Sequence, residues 1–512
     1  MKTLKPIQLR NSGPIWSLYP MAALTLCLIL SGCNRSASTT QSEAGPFLGN
    51  GVKIGEVTSS SAIVWVRLTR DADQNTSGVP FGPVSTEDRE ALAKVSGPPQ
   101  GYAGQIPDDK KLEDMEAALP GTTGEVRLTY WSDGKTDQQT TLDWTPVDTA
   151  KDYTRQFSLE SLLPATTYHF RVEGRAASVG QVNSTVESSF RTAPAAATAS
   201  RVVFTVVTGQ MWNTRDSEKG QKIYPSMAKL NPSFFVHTGD IVYYDKENPW
   251  VTHIDLARFK WNRTYSQPYL RDFHNQVPSY FIKDDHDSWQ NDDWPTMSEN
   301  RMGLFNWDQG KDVFLEQVPM GDRTYRTIRW GRDLQVWLVE GRDFRSPNDA
   351  PDGPDKTIWG KEQTEWFKRT VASSDATFRV LISPTPVVGP DHLWKENTAD
   401  NHVASRRGHE GTLLREFLGA QKDMVVVCGD RHWQYVSEHP VNGLREYSCG
   451  PTTDQHATEL KNEDHRMIRF LRAKGGFLSV TVDRINGTPT AIFRHHDVEG
   501  TIVNEETRQA TK

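Results

Sequence analysis

Cysteine is scarce: the 512 residues hold four, Cys27, Cys33, Cys428 and Cys449, and no Cys-x-x-Cys pair. That excludes a disulfide-built scaffold and a four-cysteine zinc knot. Charge of one sign is scarce too. Lys and Arg number 58 against 65 Asp and Glu, a net charge of −7, with no long basic block. An electrostatic nucleic-acid binder is thereby disfavoured, and nucleic acid would enter only as a substrate. Beyond Leu30 there is no long apolar run, and the mean hydropathy is −0.61, which excludes a polytopic membrane protein. No Walker A loop and no His-Glu-x-x-His occurs, and the glycine-rich stretch 49–55 is one residue too long for a dinucleotide fingerprint. What is present is a globular, aromatic-rich composition, 10% aromatic with 16 Trp, in a chain long enough for two or three domains.

The first residues read as an export signal. Lys2, Lys5 and Arg10 precede the apolar stretch 21–30, which is far short of the roughly 20 residues a spanning helix needs. Leu30-Ser31-Gly32-Cys33 then resembles the bacterial lipobox, so Cys33 is the expected lipidation site and residues 1–33 the signal. An ordinary secretory signal is the alternative. Lipid on Cys33 would anchor the protein to the cell envelope outside the cytoplasm, with the polar stretch 34–45 as its tether. Asn34, in place of a retention aspartate, favours an outer membrane where one exists. Cys428 and Cys449 lie in apolar surroundings, and both buried thiols and a bridge between them are open.

Residues 46–197 show period-two runs at 61–68, 124–131 and 167–173, interrupted at 70–120 by a Gly/Pro/Asp/Lys-rich insertion with one expected helix at 86–94. The run 162–168 resembles the tyrosine corner of fibronectin type III sandwiches. A Pro/Ala linker at 194–200 follows. From 198 to 505 apolar runs of strand length, at 202–207, 233–237, 279–282, 334–339, 378–382 and 424–427, alternate with helical stretches. The latter include Trp359, Trp366, Phe367 and Val371, and Leu413, Leu414, Phe417 and Leu418. Residues 477–493 read as a hairpin around Asn486-Gly487. The expected fold class is α/β, an α/β sandwich behind a smaller all-β domain.

The chemistry lies just beyond the strand ends. Gly239-Asp240 with Tyr243, Tyr244 and Asp245 comes after the second strand, Asp284-Asp285-His286-Asp287 after the third, and Gly429-Asp430-Arg431-His432 after the last. Functional sites of α/β sheets gather at such carboxyl ends. Each motif alone has a plain reading, as an Asx-capped turn, a solvated acidic loop or a surface pair. Together, in one domain, they point to metal ions: carboxylates and a phenolate are hard donors, imidazole a borderline one, suiting Fe³⁺, Mn²⁺, Ca²⁺ or Zn²⁺.

The order Gly239-Asp240-x-x-Tyr243, Asp284-Asp285-His286, Val339-x-x-Arg342-x-x-Arg345 and Gly429-Asp430-x-His432 resembles alkaline phosphatase D-type metallophosphoesterases. Gly360-x-x-Gln363-x-x-Trp366 is similar to a helix of that family, and 46–197 to its fibronectin-like N-terminal domain. The resemblance implies a metallophosphoesterase-type α/β/β/α sandwich at 198–505 and a phosphomonoesterase. Phosphodiesters such as phospholipids are the alternative substrates, and a surface-anchored binding lipoprotein with a decayed site is the alternative of another class. It implies two or more metal ions, iron and calcium in the family. The family's Ser-Cys-Gln, however, reads Thr208-Gly209-Gln210 here, leaving a water, Asn213, Asp216 or a different first metal, such as Mn or Zn, as the alternatives.

The implied ligands are Asp240 as bridge with Tyr243, Asp285, Asp430 and His432. Water activated by the cations would attack phosphorus in line. His286 would assist the leaving oxygen, with a metal ligand or a structural histidine as its other readings. Arg342 and Arg345 would hold phosphate oxygens or serve as structural salt bridges. His237 reads as a packed group behind the ligands, and the role of Glu340 is open.

Overall fold

The structure is a computed structural model, and it describes residues 38–41, 45–85, 87–88, 102–176, 180–396, 398–462 and 465–511. Cys33 with its signal, and most of the helix expected at 86–94, lie outside the described residues.

The apolar runs become the central strands, within a residue or two of their expected bounds. A nine-stranded sheet has at its centre Val202–Val207, Phe234–His237 and Ser279–Phe281, mutually parallel. A seven-stranded sheet has Leu334–Leu338, Phe378–Ser383, Met424–Cys428 and Arg445–Cys449, also parallel. These strands are buried on both faces, which is why they read as continuous rather than alternating apolar runs. Val206, Val236 and Tyr280 of one sheet meet Val336, Val380 and Val425 of the other in one core.

Helices Ile254–Tyr265, Pro268–His274 and Trp307–Gln317 pack Trp261, Phe273 and Phe314 on the outer face of the first sheet. Gly360–Ala372 and Gly408–Gly419 pack Phe367 and Leu418 on the outer face of the second. The layering is therefore α/β/β/α. In the last helix Leu414 and Leu418 are buried while Leu413 is exposed, so its apolar stripe is narrower than the sequence suggests. The C-terminal hairpin turns at Asn486 and Gly487, both at positive φ (51° and 82°), as a two-residue turn of this hand requires.

The N-terminal region does not stand apart as a closed sandwich. Its strands Val52–Gly55, Ala62–Arg67 and Thr154–Leu159 extend the nine-stranded sheet, joined through Gly55 beside Ser279. Its second layer is a six-stranded sheet built on Glu125–Ser132, Thr167–Arg175 and Ser184–Arg191. Val64, Leu128, Phe170 and Phe190 fill the space between. Tyr168 accepts a hydrogen bond from the Leu163 amide at 2.9 Å, the contact of a tyrosine corner. Cys428 pairs in register with Ser448, one residue short of Cys449. The two thiols consequently face different cores and are free, which removes the bridge.

One buried ion pair ties the N-terminal strands to the helices. Arg67 donates to both oxygens of Asp152, at 2.8 and 2.9 Å, and Asp152 also accepts from Asn262 at 2.8 Å and Gln317 at 3.0 Å. Removing one partner leaves a buried charge uncompensated. Asp152→Ala should therefore cost about 3–5 kcal/mol, seen as a large fall in the urea midpoint. Truncation of the exposed Asp133 to alanine, measured alongside, should stay within about 0.5 kcal/mol.

Candidate metal and active site

Each of the expected ligands stands past the carboxyl end of a strand. Thr208 pairs with Pro451 in an isolated parallel bridge, which brings the ends of the two sheets together. Gly239 has φ 107°, and a Cβ there would lie 2.7 Å from the Asp284 amide nitrogen, so only glycine lets the two neighbouring loops approach. Gly429 is equally confined, by Pro384 and Thr208. The aspartates after these glycines, Asp240 and Asp430, both take left-handed backbone (φ 57° and 61°). Few non-glycine residues tolerate that, and here it turns both carboxylates inward. Asp287 locks the turn by accepting from the amides of Ile241 (3.0 Å) and Asp284 (2.6 Å).

Four of the five expected ligands, Asp240, Tyr243, Asp285 and His432, come together. Tyr243 donates to Asp240 at 3.0 Å and lies 3.2 Å from Nε2 of His432, which is itself 3.7 Å from Asp240. Donor atoms of Asp240, Asp285 and His286 all lie within 4.8 Å of one another. Asp430 contacts Arg431 through one oxygen. Burial raises the pKa of Asp240, Asp284 and Asp430, and pushes Asp287 up to about 8. Burial pushes His432 down to about 3, keeping its imidazole neutral as a ligand must be. Asp240 Oδ1 and Asp284 Oδ2 are buried with no hydrogen-bond partner. Clustered carboxylates with orphaned oxygens, a phenol and a neutral imidazole fit hard or borderline cations, which would discharge the crowding.

The other residues that the sequence singled out lie around the cluster or apart from it. Arg345 is buried and donates through Nη2 to the carbonyls of Ala399 (2.6 Å) and Asp400 and through Nε to Asn348, so it pins loops, and its Nη1 alone is without a partner. Arg342 is also buried, its guanidinium 2.6 Å from Asp284, and it acts as counter-charge to the acidic cluster. Glu340 pairs with Lys283 at 2.9 Å and takes its backbone contacts from Gln363 of the helix Gly360–Ala372. Asp216 accepts from the Lys222 amide, which engages its carboxylate away from the cluster, and the Asn213 backbone amide donates to Glu247. His237 is enclosed without a partner, and burial lowers it to about 3.

A Cβ on Gly209 would lie 3.1 Å from the His432 ring, so a side chain at 209 would point at the ligands. His456, which carries no signal in the sequence, packs its ring 4.0 Å from that of His432 and bonds the Gly209 carbonyl at 3.0 Å. Asp245, marked by its place after the second strand, joins the site together with two lysines that the sequence did not single out. Asp245 holds Nδ1 of His286 at 2.6 Å, and Lys246 meets its Nε2 at 2.8 Å. Lys260 binds the carbonyls of Tyr243, Lys246 and Glu247. Asp245 and Lys246 adjoin the Gly-Asp-x-x-Tyr motif, whereas nothing local marks Lys260 or His456.

The profile of the PhoD-like phosphatase family matches residues 204–465, and that of the PhoD-like phosphatase N-terminal domain residues 33–194. The chain belongs to this family and is a phosphoric ester hydrolase. No curated protein matches it by sequence. Among solved structures it is similar to PhoD, at 16% identity and TM-score 0.66, over 92% of this chain and 90% of that one. It is also similar to the purple acid phosphatase PPD1 of yellow lupin (Lupinus luteus) seeds, at 12% identity and TM-score 0.59, over 89% and 73%. Both likenesses concern the fold, a metallophosphoesterase fold.

Asp240→Asn keeps the shape of the side chain and removes its charge. Elemental analysis should show loss of bound metal, and activity should fall by more than the about 100-fold typical of changes outside the ligand shell. Full metal content in the variant would remove Asp240 from the ligands.

Proposed function

We propose that this protein hydrolyses phosphate monoesters outside the cytoplasm, with metal ions held by Asp240, Tyr243, Asp285, Asp430 and His432. The observation that carries the reading is the convergence of Asp240, Tyr243, His432, Asp285 and His286 from separate strand ends on one buried point. Iron and calcium are the ions the family resemblance implies, and manganese or zinc suit the same donors. Bound there, cations supply Lewis acidity and a water of lowered pKa.

The chain supplies the rest. Asp240 spans the two halves of the site from its left-handed turn, and Asp287 and Lys260 keep that turn and its neighbour from shifting. Preorganised loops of this kind stabilise developing charge without reorganising during the reaction. Asp245 orients His286 through Nδ1, so Nε2, 2.8 Å from the Lys246 ammonium, is the atom that can give a proton to the leaving oxygen once that ammonium has moved away. Burial opposes the charged form of His286 and the Lys246 ammonium works the same way, but Asp245 and Asp285 outweigh them and raise its pKa to about 9.

The decisive assay compares p-nitrophenyl phosphate with its bis ester in the metal-loaded protein. Preference for the monoester is expected; preference for the bis ester would turn the reading to a phosphodiesterase. Silence on both would favour a binding lipoprotein. With His286→Asn, the metals should stay and the rate fall about 10²–10⁴-fold for alkyl phosphates, with little loss for p-nitrophenyl phosphate. A uniform loss would remove His286 from the acid role, and loss of metal would make it a ligand.

The site of action is part of the proposal. Among the described residues no helix is long and apolar enough to cross a membrane, and Cys33 is the one proposed anchor. Radiolabelled palmitate should mark the wild type and not Cys33→Ser; equal labelling would dismiss the lipobox.

A further inference from the structure

Four lysines surround the site, and three are committed. Lys283 pairs with Glu340 and Asp343 at 2.9 and 2.8 Å. Lys395 pairs with Asp400 at 2.8 Å and Asp292 at 3.3 Å. Lys260 is buried on the carbonyls of the loop after Asp240. Lys246 differs. It is half-buried, makes no ion pair among the described residues, and its ammonium rests 2.8 Å from Nε2 of His286 and 5.3 Å above the Tyr243 ring. The two rings it meets belong to His286 and to Tyr243, which itself contacts Asp240 and His432, so the ammonium lies beside the ligand group.

The backbone beneath it is fixed. Lys260 holds the Lys246 carbonyl at 2.7 Å, Asp245 accepts from the Asn291 amide at 2.8 Å, and Glu247 pairs with Arg263 at 2.7 Å. A flexible four-carbon stem on a fixed base lets the ammonium swing while its origin stays put. The arginines that the motif offered for phosphate are largely engaged, Arg342 with Asp284 and Arg345 with carbonyls through Nη2.

We infer that Lys246 binds a non-bridging oxygen of the substrate's phosphoryl group and selects dianionic monoesters over monoanionic diesters. This rests on the phosphoester reading above and names the substrate charge that the site prefers. A second negative charge on the phosphoryl group gives the ammonium a partner that a diester lacks. The same movement withdraws the ammonium from Nε2 of His286, so binding of phosphate frees the atom that faces the leaving oxygen.

The test uses the full metal-loaded chain, Lys246→Gln and Lys246→Arg, with metal content measured in each. Inorganic phosphate is titrated by calorimetry, and kcat/KM is measured for p-nitrophenyl phosphate and its bis ester. For Lys246→Gln, phosphate should bind about 10–100-fold more weakly, the worth of one charge-assisted hydrogen bond. The monoester kcat/KM should fall by a similar factor and the bis ester by less than about threefold, with Lys246→Arg recovering part of the loss. Unchanged phosphate affinity in Lys246→Gln, equal losses on both esters, or loss of metal would each overturn the assignment while leaving the phosphoester reading intact. A wild type that binds no phosphate and cleaves neither ester would overturn both.

Discussion

Four buried aspartates, Asp240, Asp284, Asp285 and Asp287, and the half-buried Asp430 are brought into one region by the ends of parallel strands from two sheets. Like charges without water repel, and the surrounding structure is largely an answer to that repulsion. Arg342 faces Asp284, Arg431 lies between Asp430 and Asp400, and backbone amides close on Asp285 and Asp287. What remains unanswered, the free oxygens of Asp240 and Asp284, is where positive charge from outside the chain belongs.

The loops carrying these acids are irregular, yet tightly held. Lys260, Arg345 and Arg407 each drive a cation into a bundle of backbone carbonyls instead of a carboxylate. Arg407 has so little opposing charge that burial lowers its pKa to about 9. Carbonyls that would otherwise need water are thereby satisfied, and loops far apart in sequence are clasped. Pinning of this kind fixes ligand positions that no regular secondary structure would dictate.

How far the sequence was legible depends on the range of the interactions. Strand-forming runs and Gly-Asp turns are local, so the strands from Val202–Val207 to Met424–Cys428 and the positions of Asp240 and Asp430 could be read directly. The partner of a side chain is not local. His286 meets Asp245 across 41 positions, and His456 reaches Gly209 across 247. Arg345 sits in a motif spacing that suggests phosphate, and only the placement of residues 399–400 shows it facing carbonyls. The sheet that runs from Ser279–Phe281 into Val52–Gly55 was likewise hidden, because Gly55 and Ser279 lie 224 positions apart (279 − 55) in the chain and nothing near either marks the pairing.

That continuous sheet means the catalytic half cannot be lifted out as a portable module. Excising the first two hundred or so residues would strip Val52–Gly55 from the flank of Ser279–Phe281 and bare a raw edge, open to pairing with another chain. The exposed strand is the one that feeds directly into Asp284 and Asp285, so fraying there would reach the ligands within a few residues. The N-terminal strands thus act as a built-in selvedge that covers the sheet's flank at its working end.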